Sequence, residues 1–231
     1  AGNPDLATFL TNFLGKERVV PGKMVEELGT RWDLLEIWIK KYPACFLQHR
    51  QIDSVIEMRN QYNLSFEDVK AVEVHTSLAD KICDRPEPKD ERDLQFSFQH
   101  VLSSALLDGD VNFKHICDKA IHDPRFKKAR PKIKIVYYPE LTIEFNRAPS
   151  NVVIKMKDGR EFSRKRLFPI GDPIHDPLTP EQVQGLYAKF SKSVLKENDI
   201  ARVADMVWHM EELKSTKELI SILVEGPFKN G

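Results

Sequence analysis

The apolar residues of this chain fall into short stretches whose period changes along its length, and the period predicts the elements. Leu6, Phe9, Leu10, Phe13 and Leu14 follow Pro4 at helical steps and stop at Gly15, which predicts a short opening helix. Met24–Leu28 reads as a second helix. Trp32-Asp-Leu-Leu-Glu-Ile-Trp-Ile39 is rich in strand formers and runs towards Pro43, so a strand is expected there. From Arg50 to Tyr62, Ile52, Val55, Ile56 and Tyr62 recur at three- and four-residue steps with charges between them, an amphipathic helix that begins just after His49.

Ser65-Phe-Glu-Asp68 is a turn with capping residues, and Val69, Ala71, Val72 and Val74 predict a strand. Pro86–Asp90 is a polar loop. Phe96–Leu107 is the most hydrophobic long segment, bounded by Ser97 as a cap and Gly109 as a stop, and is expected to be a buried helix. Asn112–Ile121 continues helically, and Asp123-Pro124 opens another turn. Lys132–Tyr138 alternates as a strand with one wet face. In the hairpin that follows, Val152–Lys157 and Glu161–Phe168 flank Asp158-Gly159.

After a turn-rich break at Gly171–Pro177, Thr179-Pro180-Glu181 opens a helix carrying Val183, Leu186, Phe190 and Val194, and Ile200–Leu213 and Thr216–Val224 complete a helical tail. The expected fold is α+β, with a mostly antiparallel sheet and packed helices. Its expected divisions are a helical lead-in over residues 1–30, an α+β domain over 31–178 and carboxy-terminal helices over 179–231.

Composition narrows the function classes. The 231 residues are 41% apolar and 30% charged, ordinary globular proportions for a chain long enough to bury a core. Lys plus Arg balance Asp plus Glu at 35 each, so no overall positive field points to nucleic acid or an anionic membrane. No apolar stretch has the length of a bilayer span and no export signal opens the chain, so a soluble intracellular protein is expected, cytoplasmic, or mitochondrial in a eukaryote. Cys45, Cys83 and Cys117 are odd in number and contain no CxxC pair, which argues for free thiols over a disulfide framework or structural zinc.

The residues alone supply no Gly-rich phosphate loop, no GxSxG elbow, no HExxH and no clustered metal ligands. Cys45 with His49, or Cys117 with His122, would give two ligands and not a metal site. Trp32, Trp38, Phe96 and Phe98 are expected in the core rather than as a substrate platform. The basic residues between Arg160 and Arg166 read as a solvated strand face.

Several segments in series, however, resemble one family. Lys41-Tyr-Pro-Ala-Cys-Phe-Leu-Gln-His49 before an apolar helix is similar to the Lys-aromatic-Pro turn and histidine of MmgE/PrpD proteins. Phe96-Ser-Phe-Gln-His-Val-Leu-Ser-Ser-Ala-Leu-Leu-Asp-Gly109 resembles their buried helix ending in Leu-Leu-Asp-Gly, and Asp123-Pro-Arg125 also fits. Val153–Gly159, Gly171-Asp-Pro173, Pro177-Leu-Thr179 and Lys189-Phe190 match the closing hairpin, turn and helix.

The resemblance implies the α+β lid half of an enzyme whose other half is a large helical domain, with the active site in the cleft between them. Ala1-Gly-Asn-Pro4 then reads as an entry into a longer protein, inactive without that helical domain, which forms a homodimer when complete. The implied chemistry is proton abstraction next to a carboxylate of a small polycarboxylate, with no metal or organic cofactor. Dehydration, as of 2-methylcitrate, is the leading outcome; decarboxylation, epimerisation and a non-catalytic interaction module are the alternatives.

By the same resemblance His49 is the leading catalytic candidate, since it matches the family histidine at the start of the Arg50 helix, where the dipole disfavours imidazolium. The competing reading is a histidine that caps its own helix. His100 stands where many family members carry Tyr in Ser-x-x-Tyr; it is a second proton-transfer candidate or a packed core histidine. Lys41 and Arg50 flank the histidine turn as candidate carboxylate clamps or, equally, as solvated charges.

Overall fold

The structure, a computed structural model, describes residues 4–142 and 148–224; the expected entry at Ala1–Asn3 lies outside them. The chain divides between Ile37 and Trp38 into two units. In the first, α1 (Pro4–Leu14) forms where the helical spacing after Pro4 predicts it, whereas the second helix, expected over Met24–Leu28, forms earlier as the short α2 (Pro21–Val25), with Pro21 at its start.

The expected strand over Trp32–Ile39 is not formed. Asp33–Glu36 makes a single 3₁₀ turn, with the Leu35 N–H donating to Trp32 O at 3.0 Å. Strand propensity is largely the fit of a side chain to a pleated, half-buried surface. Here Trp32, Leu34, Leu35 and Ile37 are exposed and no described strand lies alongside. Trp32 is therefore not the core residue its size suggested.

The second unit carries the α+β architecture. Its elements are α3 (His49–Gln61), β1 (Val69–Thr76), α4 (Glu91–Gln95), α5 (Phe98–Asp108), α6 (Asp118–His122), α7 (Pro124–Ala129), β2 (Ile133–Tyr137), β3 (Ser150–Met156), β4 (Glu161–Arg166), α8 (Pro180–Ser191), α9 (Glu197–Trp208) and α10 (Lys217–Val224). The sheet runs β2-β1-β3-β4. β1 pairs antiparallel with β3, and β3 with β4, across the Asp158-Gly159 hairpin, but β1 and β2 are parallel, with Val72 opposite Ile133. A parallel pair requires a crossover. Here α4 to α7 supply it.

Alternation then fixes the buried face. Ser150, Val152, Ile154 and Met156 of β3 and Val72, Val74 and Thr76 of β1 are buried. The apolar ones among them belong to one core with Ile52, Val55 and Met58 of α3 and Phe98, Val101, Leu102 and Ala105 of α5. Each large aliphatic side chain withdrawn from water there contributes about 1.5–3 kcal/mol. β4 lies at the sheet edge with no fully buried side chain, and its Arg164 and Arg166 reach Glu57, which ties α3 across the sheet. The solvated basic face is thus in part an ion-paired one.

α5 begins and ends where its sequence signals place it. Ser97 Oγ accepts from the His100 N–H at 3.1 Å, and Gly109 closes the helix in the left-handed region at φ 68°. The helical continuation expected through Ile121 is broken instead. Phe113–His115 form a 3₁₀ turn, because the Asn112 N–H bonds His115 Nδ1 while Asn112 Oδ1 takes the Lys114 N–H, and α6 starts afresh.

One further contact positions the site. The Ile39 N–H donates to Gly171 O at 3.3 Å, which holds the strand-exit segment after β4 against the chain that leads into Lys41. Gly171 sits at φ +101°, and a Cβ there would stand 2.6 Å from Ile39 O, so only glycine fits.

Candidate active site

His49 is the first residue of α3, and its ring lies wholly within the protein. Tyr42 meets it edge-on with ring centres 5.1 Å apart, and Phe46 lies at 4.9 Å. The Ala44 carbonyl is close enough to favour a protonated ring, yet neither ring nitrogen makes a well-formed hydrogen bond to a described residue. Burial dominates and lowers the pKa to about 4, although Asp53 pulls the other way. The imidazole is therefore neutral at pH 7. No side chain caps α3 in its place.

Asp53, one turn further along α3, organises the approach to that ring. Lys41 Nζ donates to its Oδ1 at 2.7 Å, Tyr42 Oη donates to the same oxygen at 2.8 Å, and the Ile170 N–H donates to Oδ2 at 3.0 Å. One carboxylate thus gathers the histidine turn, α3 and the strand-exit segment. Burial and Asp53 together drive the Tyr42 phenol far above its ordinary value, so it is a fixed donor. Tyr42 shapes the histidine turn through this bond. A second lysine also lies over its ring. Lys189 Nζ lies 6.0 Å from the Tyr42 ring centre and donates to Asp110 Oδ1 at 2.6 Å.

Arg50 turns the opposite way. It is fully buried, its Nη2 donates to Asp80 Oδ2 at 2.7 Å and its Nη1 donates to the Ala148 carbonyl at 2.6 Å. The same Asp80 oxygen accepts from Gln51 Nε2 at 3.1 Å and from Thr76 Oγ1. The guanidinium is an internal anchor between α3, the chain after β1 and the segment entering β3. As placed, it is committed to Asp80.

His100 belongs to another neighbourhood. Its Nε2 lies 2.6 Å from the His115 carbonyl, so that nitrogen carries the proton, and the ring meets Phe126 edge-on at 4.8 Å. His115 in turn accepts from Asn112 at Nδ1 and donates from Nε2 to Asp108 at 3.0 Å. Burial lowers the His100 pKa to about 4 and depresses that of His115. Lys41 and His49 meet around Asp53, whereas His100 shares no hydrogen-bond partner with either.

The depressed histidines make a pH prediction. A folded-state pKa below the unfolded value near 6.5 means that the unfolded chain binds the proton more readily, so the stability from His49 and His100 is present above about pH 6.5 and lost as pH falls towards 4. The melting temperature should decline across that window, and His100→Gln should flatten the decline. An unchanged slope in the variant would mean that the His100 ring takes up its proton at the same pH in the folded and the unfolded chain.

Asp53, Asp80 and Lys189 were not picked out by sequence reasoning as site residues. The only signal was indirect: an acid one helical turn after His49, and a Lys-Phe pair in the closing motif. Among the described residues no group of three His, Cys, Asp or Glu is placed to hold a metal ion, and no helix is long and apolar enough to cross a membrane.

Comparison with known proteins fits this arrangement. The MmgE/PrpD C-terminal domain family matches residues 42–212, which include the histidine turn, the sheet, α8 and α9. A human cis-aconitate decarboxylase is 22% identical over 200 residues, covering 84% of this chain and 41% of that protein. The cis-aconitate decarboxylase of Aspergillus terreus is 23% identical over 222 residues, covering 90% of this chain and 44% of its own length. A mouse cis-aconitate decarboxylase is 24% identical over 143 residues, 62% of this chain and 29% of that protein. The chain thus spans less than half the length of these relatives.

Proposed function

Since the chain belongs to the MmgE/PrpD family through its C-terminal domain, we propose that it is the lid-type half of a lyase that acts on a small polycarboxylate, with His49 exchanging the proton. The observation that carries the reading is a buried, neutral imidazole neither of whose nitrogens makes a well-formed hydrogen bond to a described residue. Leaving such groups unpaired costs about 1–3 kcal/mol each, and a fold that retains them usually has a use for them.

The chemistry follows from charge. A polycarboxylate entering beside His49 places negative charge next to the ring and raises its pKa, so the imidazole takes up a proton as the substrate binds and becomes an acid near neutral pH. Lys41 and Lys189 supply cations for the carboxylates, and Tyr42 and Asp53 hold the turn in place. Arg50 anchors α3 from within, and His100 acts through the packing of α5.

The relatives favour loss of carbon dioxide, as from cis-aconitate, in which a proton must be delivered to carbon as the carboxyl leaves. A neutral imidazole with a low pKa also suits the opening proton abstraction of a dehydration such as that of 2-methylcitrate. Neither requires a metal or organic cofactor in this reading. We assign the remaining catalytic groups to an amino-terminal helical domain, with a homodimer as the complete assembly.

The test is to titrate this chain with cis-aconitate and 2-methylcitrate while following the His49 ring by NMR, and to assay both products. The expected result is saturable binding that shifts the ring towards its protonated position, with no turnover. Turnover by the chain alone would overturn the division of labour, and a ring unmoved by either acid would overturn the site.

A further inference from the structure

Leu106-Leu-Asp-Gly109 and Asp123-Pro-Arg125, two segments that the proposed reaction leaves unused, meet where α5 ends. Asp108 Oδ1 accepts from Arg125 Nη1 at 3.0 Å, and its Oδ2 accepts from His115 Nε2 at 3.0 Å. Asp123 Oδ2 accepts from Arg125 Nη2 at 3.0 Å and from Arg125 Nε at 3.2 Å. A cavity of about 270 Å³ opens beside this network, and Lys114 and Lys119 also line it. Lys41, Tyr42, His49 and Asp53 do not.

The charges on this wall are unequally satisfied. Both carboxylates are engaged, Asp108 by Arg125 and His115, and Asp123 by the Arg125 guanidinium and, at Oδ1, by the Arg125 N–H at 2.8 Å. The cations are not. Lys114 and Lys119 are exposed, and neither makes a hydrogen bond or ion pair with a described residue. The Arg125 guanidinium spends one N–H of each nitrogen on the two acids, which leaves a second N–H on each Nη without an acceptor among the described residues. His115, wholly buried, is tied at both ring nitrogens, so this part of the wall is fixed. With Lys114, Lys119 and Arg125 set against Asp108 and Asp123, the cavity carries an excess of positive charge.

We propose that this cavity binds a phosphate group, free or carried by a phosphomonoester, through Lys114, Lys119 and Arg125. The three cations come from three elements, the 3₁₀ turn Phe113–His115, α6 and α7, and so reach a bound group from different directions. A tetrahedral phosphate presents oxygens to all of them, whereas the two oxygens of a carboxylate lie in one plane. One guanidinium fork and two ammonium point charges are the usual partners of that group. The volume is ample, since one water takes about 30 Å³ of the liquid. The site is separate from the Asp53 cluster and does not depend on which reaction the family half performs.

The experiment titrates the 231-residue chain with inorganic phosphate, and separately with glycerol phosphate, at an ionic strength held constant with sodium chloride, while NMR follows the backbone amides and the His49 ring. The expected result is a saturable shift centred on the amides of Lys114, Lys119 and Arg125, with the His49 ring unmoved. Tighter binding of the ester marks a carried phosphate, and equal or weaker binding marks the free ion. Lys114→Met combined with Lys119→Met, two changes at exposed side chains, should weaken binding about 10-fold or more. Phosphate should raise the melting temperature of the unchanged chain and leave that of the double variant where it was. A shift that grows linearly without saturating, equal affinity in the double variant, or saturation of these amides by cis-aconitate with none by either phosphate would each overturn the proposal.

Discussion

Replacing Arg50 with Met should destabilise the folded unit by about 3–5 kcal/mol, a loss of roughly 10 °C in melting temperature for a chain of this size. The expectation rests on what remains behind. Asp80 is wholly buried, and its strongest partner is the guanidinium at 2.7 Å; Gln51 and Thr76 donate to the same oxygen but bring no charge. The Ala148 carbonyl loses its donor as well. Because the penalty is that of a stranded charge, the double change Arg50→Met with Asp80→Leu should recover much of it. Urea unfolding gives both values. A single-variant loss below about 1 kcal/mol would mean that Gln51 and Thr76 suffice to hold Asp80 without the guanidinium.

His49→Gln should lower kcat by about 10²–10⁴-fold in a protein that joins this chain to its amino-terminal helical domain, the range that a positioned acid or base contributes. Glutamine keeps the size and polarity of the ring but neither accepts nor delivers a proton near pH 7. The fold should survive, since the ring nitrogens make no well-formed hydrogen bond to a described residue that the change would break. Lys41→Met, by contrast, should act mainly on KM, because it removes a carboxylate contact and leaves the proton path intact. Steady-state kinetics with each acid separates the two. If His49→Gln retained kcat within about threefold, the proton would have to come from elsewhere.

The helices were legible because their signals are local. Ile52, Val55 and Ile56 at helical spacing, Ser97 and Gly109 at the ends of α5 and Asp158-Gly159 between β3 and β4 each act within a few residues of chain. Trp32–Ile39 misled because propensity reports a preference for a surface that the fold does not provide there. The parallel pairing of β1 with β2 has no local signature, and neither do the partners of the site. Lys41 and Tyr42 find Asp53 eleven or twelve positions away, Arg50 finds Asp80 thirty away, and Ile170 reaches Asp53 across 117 positions. His49 was found by motif, while what makes it unusual, a buried ring set against Tyr42 and Phe46, exists only once the turn is closed.

The strand order also sets a timetable. β1 lies in the middle of the sheet, yet both its neighbours come later in the chain, at Ile133–Tyr137 and Ser150–Met156. Contacts between such distant segments are slow to form, and during synthesis the amino-terminal part emerges first. Until Met156 has left the ribosome, Val69–Thr76 has bare backbone on at least one side, open to a strand from another nascent copy. Lys70 and Glu73, which interrupt its run of valines, place charge on that stretch while it waits.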